Sequence, residues 1–174
     1  MPQILLQIAL LLSCLIIAAN CGLEILPERA KLVSFNEKYF SNFSLNLRRF
    51  SRTTPFYYNV ELTTKQTWTN NVTVHVIFNE YLHNEYRRSF IEFHRTYCDM
   101  VKYDKFIGPT MHKVGLLCPH PVETLRVINF TFPMNTFPNV FPFEKSRIDT
   151  ELTVTATNES MVLLYHYVTI RNLP

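Results

Sequence analysis

The chain has 174 residues, of which 47% are hydrophobic and 18% charged, and its net charge at neutral pH is +3. This length suits one domain, and the composition is too apolar for a disordered chain. The charge is too small and too scattered for a nucleic-acid partner. Fourteen Phe and nine Tyr can build a core and still line a pocket, whereas only three Gly argue against Gly-rich phosphate loops.

The first 21 residues form a predicted targeting segment. An almost continuous apolar run over 4–19 is short for a membrane span and ends in small residues, the order typical of a secretory signal peptide. An uncleaved membrane anchor is the alternative, because no Lys or Arg precedes the run. We therefore predict a signal peptide over 1–21, cleaved after Ala19 or after Cys21, and one secreted, extracellular domain over 22–174.

N-glycosylation sequons support secretion independently, since they are acceptors only in a chain that enters the secretory pathway. The four acceptor positions are Asn42, Asn71, Asn129 and Asn158.

From residue 42 onward the dominant pattern is alternation of apolar and polar residues, which is typical of half-buried strands. The alternating segments are 42–48, 56–62, 71–78, 124–132 and 148–156, with Ile91 and Phe93 continuing the pattern after a turn predicted over 79–84. Residues 161–170 are apolar on both faces and indicate a central, covered strand.

The alternation assigns side chains to the interior. It directs Val72, Val74, Val76 and Phe78 inward, with Asn71, Thr73 and His75 outward. The other inward residues are Phe43, Leu45, Leu47, Phe56, Tyr58, Val60, Leu62, Ile128, Phe130, Phe132, Ile148, Leu152, Val154 and Ala156. Asn42, Asn71 and Asn129 all fall on the polar phase, as glycan acceptors should.

Four cysteines are present, and Cys14 leaves with the signal peptide. If cleavage falls after Cys21, the remaining pair predicts a Cys98–Cys118 disulfide, which would stabilise the fold by about 3 kcal/mol. A metal site is disfavoured, because only His120 lies near either cysteine and zinc needs three or four ligands. We expect no metal and no cofactor.

Between Cys98 and Cys118 the alternation stops. Asp99 could cap a short helix with Met100 and Tyr103 on one side, and a second helical turn could follow within 109–117. Residues 118–121 then form a stiff turn around two prolines.

A loop over 130–143 combines five Phe with three Pro. It could close one end of the core, or form a hydrophobic lip around a lipid. On the second interpretation we predict an apolar cavity between the sheets, near this loop and the segment between the cysteines. The predicted ligand-binding residues are Phe106, Ile107, Phe130, Phe132, Phe137, Phe141 and Phe143.

The six histidines lie beside no nucleophile in a catalytic motif, so the sequence predicts a protein that is not an enzyme and has no catalytic residues. Short basic clusters at Arg48, Arg49 and Arg52 and at Arg87 and Arg88 form a solvated face by default. The alternative is contact with anionic lipid head groups.

Seven or eight short strands predict an antiparallel sandwich or barrel, and either has an inner face large enough for a ligand. Alternation does not choose between the two architectures.

Several short motifs resemble an insect-specific family of small secreted proteins that contains the CheA and CheB chemosensory proteins. They are Tyr-Cys-Asp at 97–99, Leu-Cys-Pro at 117–119, Val-Ile-Asn-Phe at 127–130 and Arg-Ile-Asp at 147–149. That family is distantly similar to the ganglioside activator and the ML lipid-recognition domain. The resemblance implies an all-β, antiparallel, immunoglobulin-like (ML-type) sandwich with a short helix between the cysteines, an acyl-chain or other apolar ligand, and a pheromone-related role.

Two hypotheses follow. The first is a secreted protein that binds a lipid or another small hydrophobic molecule. The second is a secreted interaction protein that modulates a cell-surface receptor or channel and has a filled core without a cavity. In either case we expect a monomer.

Overall fold

The computed structural model of the chain describes residues 23–131 and 141–172. The predicted signal peptide, with Cys14 and Cys21, lies outside the described residues, and so do Phe132 and Phe137. Within the described ranges, no helix is long and apolar enough to cross a bilayer.

The described chain folds into two antiparallel sheets and two short helices, which confirms the predicted sandwich with a short helix between the cysteines. The strands are β1 (Leu23–Phe35), β2 (Phe40–Arg48), β3 (Tyr57–Thr64), β4 (Val72–Leu82), β5 (Glu85–Thr96), β6 (Thr124–Phe130), β7 (Lys145–Val154) and β8 (Ser160–Asn172). The helices are α1 (Tyr97–Tyr103) and α2 (Gly108–Lys113). One sheet has the order β1-β8-β7-β4-β5 and the other β2-β3-β6.

Strand β4 follows its alternation closely. Val72, Val74, Val76 and Phe78 are all buried, whereas Thr73 and the other residues of the opposite phase up to residue 77 are more exposed. The predicted orientation of this strand is confirmed, because an interior strand of the larger sheet buries one face against the second sheet.

The turn predicted over 79–84 is wrong in its length. Asn79 is buried within β4 and donates from Nδ2 to the Arg147 carbonyl at 3.1 Å. The turn itself comprises His83 and Asn84, which have φ of 50° and 66°. Two consecutive residues in the left-handed region are the signature of a tight two-residue hairpin turn, so both strands extend almost to its tip.

The inward phase predicted for β6 is also wrong. Ile128 is 61% exposed, whereas Leu125 and Val127 are partly buried and face the interior. Asn129 has φ of 54°, and the pairing with β3 shifts by one residue beside it. Such a bulge changes which face later side chains occupy, so Phe130 faces inward although Ile128 does not. The strand ends there, short of residue 132.

Strand β1 was not predicted, because its sequence does not alternate and contains Pro27. It forms the edge of the larger sheet and pairs with β8. Proline has no N–H to donate and is confined largely to edge strands, and the register of β1 shifts just after Pro27. With β1 in place, β8 becomes an interior strand, as its two apolar faces predict.

A disulfide joins Cys98 in α1 to Cys118, with the two Cα atoms 5.2 Å apart. Thr96, rather than Asp99, is the N-cap residue of α1, and Thr96 Oγ1 donates to Asp99 Oδ2 at 2.7 Å. Tyr103, predicted on the buried side, is 71% exposed. The buried residues of α1 are Tyr97, Cys98, Met100 and Val101.

The two helices meet at Gly108. A Cβ atom at this position would lie 2.6 Å from the Val101 carbonyl oxygen, so only glycine fits. We expect Gly108→Ala to lower the free energy of unfolding by about 1–3 kcal/mol through overpacking, as measured by urea denaturation. Lys113→Ala, at an exposed position of the same helix, should change it by less than about 0.5 kcal/mol. Equal effects of the two substitutions would contradict the tight helix contact.

Candidate functional site

The interior of the sandwich has a packed end and a hollow part. At the packed end, beside the disulfide, Phe40, Trp68 and Tyr97 are 0–2% exposed. Phe40 and Tyr97 meet Trp68 edge-on, with ring centroids 5.7 and 5.4 Å away. Trp68 and Tyr97 also border the cavity, so this cluster forms one end of its wall.

Elsewhere the inward side chains do not meet. Five aliphatic residues on inward-facing positions are only partly buried, because they border a cavity of about 660 Å³. These residues are Leu45, Val60, Val127, Leu152 and Leu164. A volume of this size lies within the range of small-molecule sites, about 300–1,000 Å³.

Both sheets and the segment between the cysteines form the cavity wall. From that segment come Met100, Ile107, Met111 and Leu116. Methionine is flexible and adapts its shape to a binding partner, so this part of the wall can adjust to different ligands. None of the described lining residues is Lys or Arg.

The structure separates the predicted ligand-binding residues into two groups. Ile107 and Phe130 line the cavity. Phe106 is 38% exposed in the turn between the helices and is not part of the lining. Its backbone N–H donates to Asp104 Oδ1 at 2.9 Å, and this turn directs Ile107 inward instead.

Phe141 and Phe143 lie beside the cavity rather than in its lining. Phe141 is 5% exposed, with its ring centroid 4.7 Å from that of Phe78 and 5.9 Å from that of Phe143. Phe143 is partly buried against the same core. Phe141 packs against Phe78 of β4, and Phe143 packs against Phe141. The two rings therefore extend the core and do not border the cavity.

The cavity lies between the sheets and includes the segment between the cysteines and Phe130, where the sequence predicted a cavity. Its wall is different from the predicted one, because inner-face residues such as Leu45 and Val60 line it instead of filling the sandwich. Alternation shows which side chains face inward but carries no information on the distance between the sheets. The alternative hypothesis required a filled core, and the cavity contradicts that requirement.

His166 is the most unusual residue of the cavity. It lies on the inward phase of β8 between Leu164 and Val168, and its ring centroid is 5.5 Å from that of Tyr58. Its Nδ1 is buried and has no hydrogen-bond partner in the described structure. Burial lowers the pKa of His166 to about 4 and raises that of the Tyr58 hydroxyl. Both groups are therefore uncharged at neutral pH.

A second pair of histidines lies on the outer face of the larger sheet. His75 Nδ1 and His94 Nδ1 are 2.7 Å apart, and His75 Nε2 lies 2.9 Å from Thr153 Oγ1. Partial burial, followed by the nearby His94, lowers the pKa of His75. The described residues contain no group of three His, Cys, Asp or Glu that could hold a metal ion.

The basic clusters are engaged in local contacts. Arg49 donates to the carbonyls of Ser51 and Arg52 at 2.7 Å each, and Arg88 forms an ion pair with Glu92. Such contacts favour the solvated-face interpretation over a free cationic patch. The predicted glycan acceptors Asn42, Asn71, Asn129 and Asn158 are all exposed.

The chain is thus an antiparallel β-sandwich with an apolar internal cavity. No family model and no curated protein matches it. Among solved structures it is similar to chicken MD-1 complexed with lipid IVa, at 14% identity and a TM-score of 0.42 over 85% of this chain and 90% of that one. It is also similar to a Niemann-Pick type C2 protein from Japanese carpenter ant, at 10% identity and a TM-score of 0.37 over 80% of this chain and 97% of that one.

The burial of His166 predicts acid sensitivity. Its pKa is about 4 in the folded state and about 6.5 in an unfolded chain. The unfolded state therefore binds more protons between these values, and the free energy of unfolding falls as the pH drops from 6.5 to 4. We expect His166→Phe to reduce this loss by up to about 3 kcal/mol, measured by urea denaturation at several pH values.

Leu164→Phe is the matched control, because it alters the adjacent lining position without changing a titratable group. Its effect on stability should be the same at pH 7 and pH 4.5. An acid dependence that is identical in the parent and in His166→Phe would show that His166 is not buried in its neutral form.

Proposed function

We propose that this chain is a secreted, non-enzymatic protein that binds one lipid or other small hydrophobic molecule between its two sheets. The observation that carries the proposal is the apolar cavity of about 660 Å³. A hydrophobic molecule that fills it removes apolar surface of the wall and of the ligand from water, which is favourable by about 25 cal/mol per Å².

Water is a poor alternative occupant. Ordered water needs two to four polar partners, and the wall consists mainly of aliphatic and aromatic side chains. A hydrocarbon chain of about 16 methylenes would instead gain up to about 13 kcal/mol before the costs of ordering and association. The cavity is therefore suited to an apolar ligand.

A surface groove supplies an access route. This groove, of about 530 Å³, runs along α2 and β6 and shares Thr110, Val114, Val127 and Phe130 with the cavity wall. Among the described strands, β6 is at the edge of the smaller sheet, and none of them covers this side. A ligand can therefore pass between α2 and β6 without separating paired strands.

The motifs around Cys98 and Cys118 support a narrower role for the same binding site. Because they resemble those of the CheA and CheB proteins, we propose that the ligand is a chemosensory, pheromone-related molecule and that the carrier acts as a monomer. A cell-surface receptor or channel would then be the partner of the loaded carrier, on the extracellular side.

Two valines provide a matched test. Val127 lines the cavity, whereas Val122 is 56% exposed and lines neither the cavity nor the groove. Val127→Phe should weaken binding of the apolar fluorophore N-phenyl-1-naphthylamine at least about tenfold, because the added ring occupies the ligand's space. Val122→Phe, the same substitution outside both linings, should leave binding unchanged. Fluorescence titration measures both, and equal affinities would exclude the cavity as the binding site.

Native mass spectrometry of the secreted protein tests for a natural ligand. We expect an adduct of lipid mass that survives gentle handling and is reduced in Val127→Phe. An apo mass for the parent, together with no uptake of the fluorophore, would contradict the proposed function.

A further inference from the structure

Two residues of the cavity wall carry a buried side-chain nitrogen without a hydrogen-bond partner in the described structure, Trp68 Nε1 and His166 Nδ1. The Trp68 indole can only donate and lies among the aromatic rings at the packed end, whereas His166 lies among aliphatic lining residues. His166 Nδ1 is shielded from solvent and has no hydrogen-bond partner in the described structure. Leaving such a nitrogen unpaired costs about 1–3 kcal/mol, and native proteins satisfy most buried polar atoms. Because His166 belongs to the cavity wall, a bound molecule is in a position to supply the missing partner.

We infer that His166 anchors the ligand by a hydrogen bond, and that the ligand is an uncharged amphiphile with a hydroxyl group on an otherwise apolar chain or ring. The inference rests on the proposed lipid-binding function and specifies which class of lipid the cavity takes.

The position of His166 supports an anchor inside the cavity. It alternates along β8 with Leu164 and Val168, and both of these neighbours also belong to the lining. In register it pairs with Ile148 of β7, another lining residue. The imidazole is therefore surrounded by apolar wall, and a polar group that reaches it must be buried with the apolar part of the ligand.

The chemistry of the wall favours a hydroxyl over a carboxylate. A neutral imidazole has one donor and one acceptor nitrogen, and a hydroxyl can pair with either. A carboxylate would need a positive partner, yet no Lys or Arg is present among the described lining residues, and Glu24 at the wall carries the same sign of charge. A buried charge without a partner is strongly unfavourable.

A pure hydrocarbon is excluded for the opposite reason, because it would leave Nδ1 unpaired. An uncharged hydroxyl satisfies the nitrogen and adds no charge, and it is compatible with the lowered pKa of His166. A doubly charged or zwitterionic head group would have to remain outside the cavity, out of reach of this residue.

The test compares three ligands of equal chain length, tetradecan-1-ol, 1-chlorotetradecane and tetradecanoate, by displacement of N-phenyl-1-naphthylamine. In the chloride, chlorine replaces the hydroxyl group and cannot donate a hydrogen bond. We expect the preference for the alcohol over the chloride to fall about threefold to tenfold in His166→Phe, the value of one hydrogen bond. Leu164→Phe is the control, because it also places a phenyl ring in the lining but keeps His166. It should show the same preference for the alcohol over the chloride as the parent.

A measurement on the unmodified protein keeps the inference testable if His166→Phe does not fold. With ¹⁵N-labelled histidine, the imidazole resonances of His166 should shift when tetradecan-1-ol is added and should not shift with 1-chlorotetradecane. An unchanged preference in His166→Phe, identical spectra with both ligands, or tighter binding of tetradecanoate at pH 7 would overturn the anchor while leaving the lipid-binding function intact. Failure of all three ligands to displace the fluorophore would overturn both.

Discussion

The aromatic cluster at the packed end sets the conditions for the rest of the structure. Phe40, Trp68 and Tyr97 stand edge-to-face between the two sheets and are almost fully buried. Edge-to-face contacts between these rings fill the interior at that end. Further along the sandwich, inward side chains such as Val60 and Leu164 border the cavity instead of meeting one another. The cluster therefore closes one end of the space in which a ligand would lie.

The disulfide makes the wall of the cavity possible at its helical side. Helices as short as α1 and α2 are not stable in isolation, and their position depends on covalent and tertiary contacts. Cys98 is tied to Cys118, and the Tyr97 hydroxyl donates to the Leu117 carbonyl at 3.0 Å. These two links join the start of the segment to its end, and so place Met100 and Met111 against the open edge of the sandwich.

How far the sequence predicts this molecule depends on backbone regularity. In β4 every residue from Val72 to Phe78 keeps an extended conformation, and alternation identifies its inward face correctly. In β6 the left-handed Asn129 shifts the pattern, and Ile128 is assigned to the wrong face. The predicted lining fails for another reason, because aromatic surplus does not reveal whether a ring such as Phe141 borders a void or packs behind it.

His166 is the most specific feature of the site, but the sequence alone does not indicate its role. A histidine between Leu164 and Val168 on the inward phase of an apolar strand looks like a structural residue until the facing sheet is placed. In the fold, two unfavourable terms meet at His166, because an apolar void surrounds it and its Nδ1 has no partner. A void filled by hydrocarbon alone removes the first term and leaves the second. Only a molecule that is apolar over most of its length and uncharged but polar at one point removes both, and the wall of this sandwich therefore selects for a polar atom as well as for hydrophobicity.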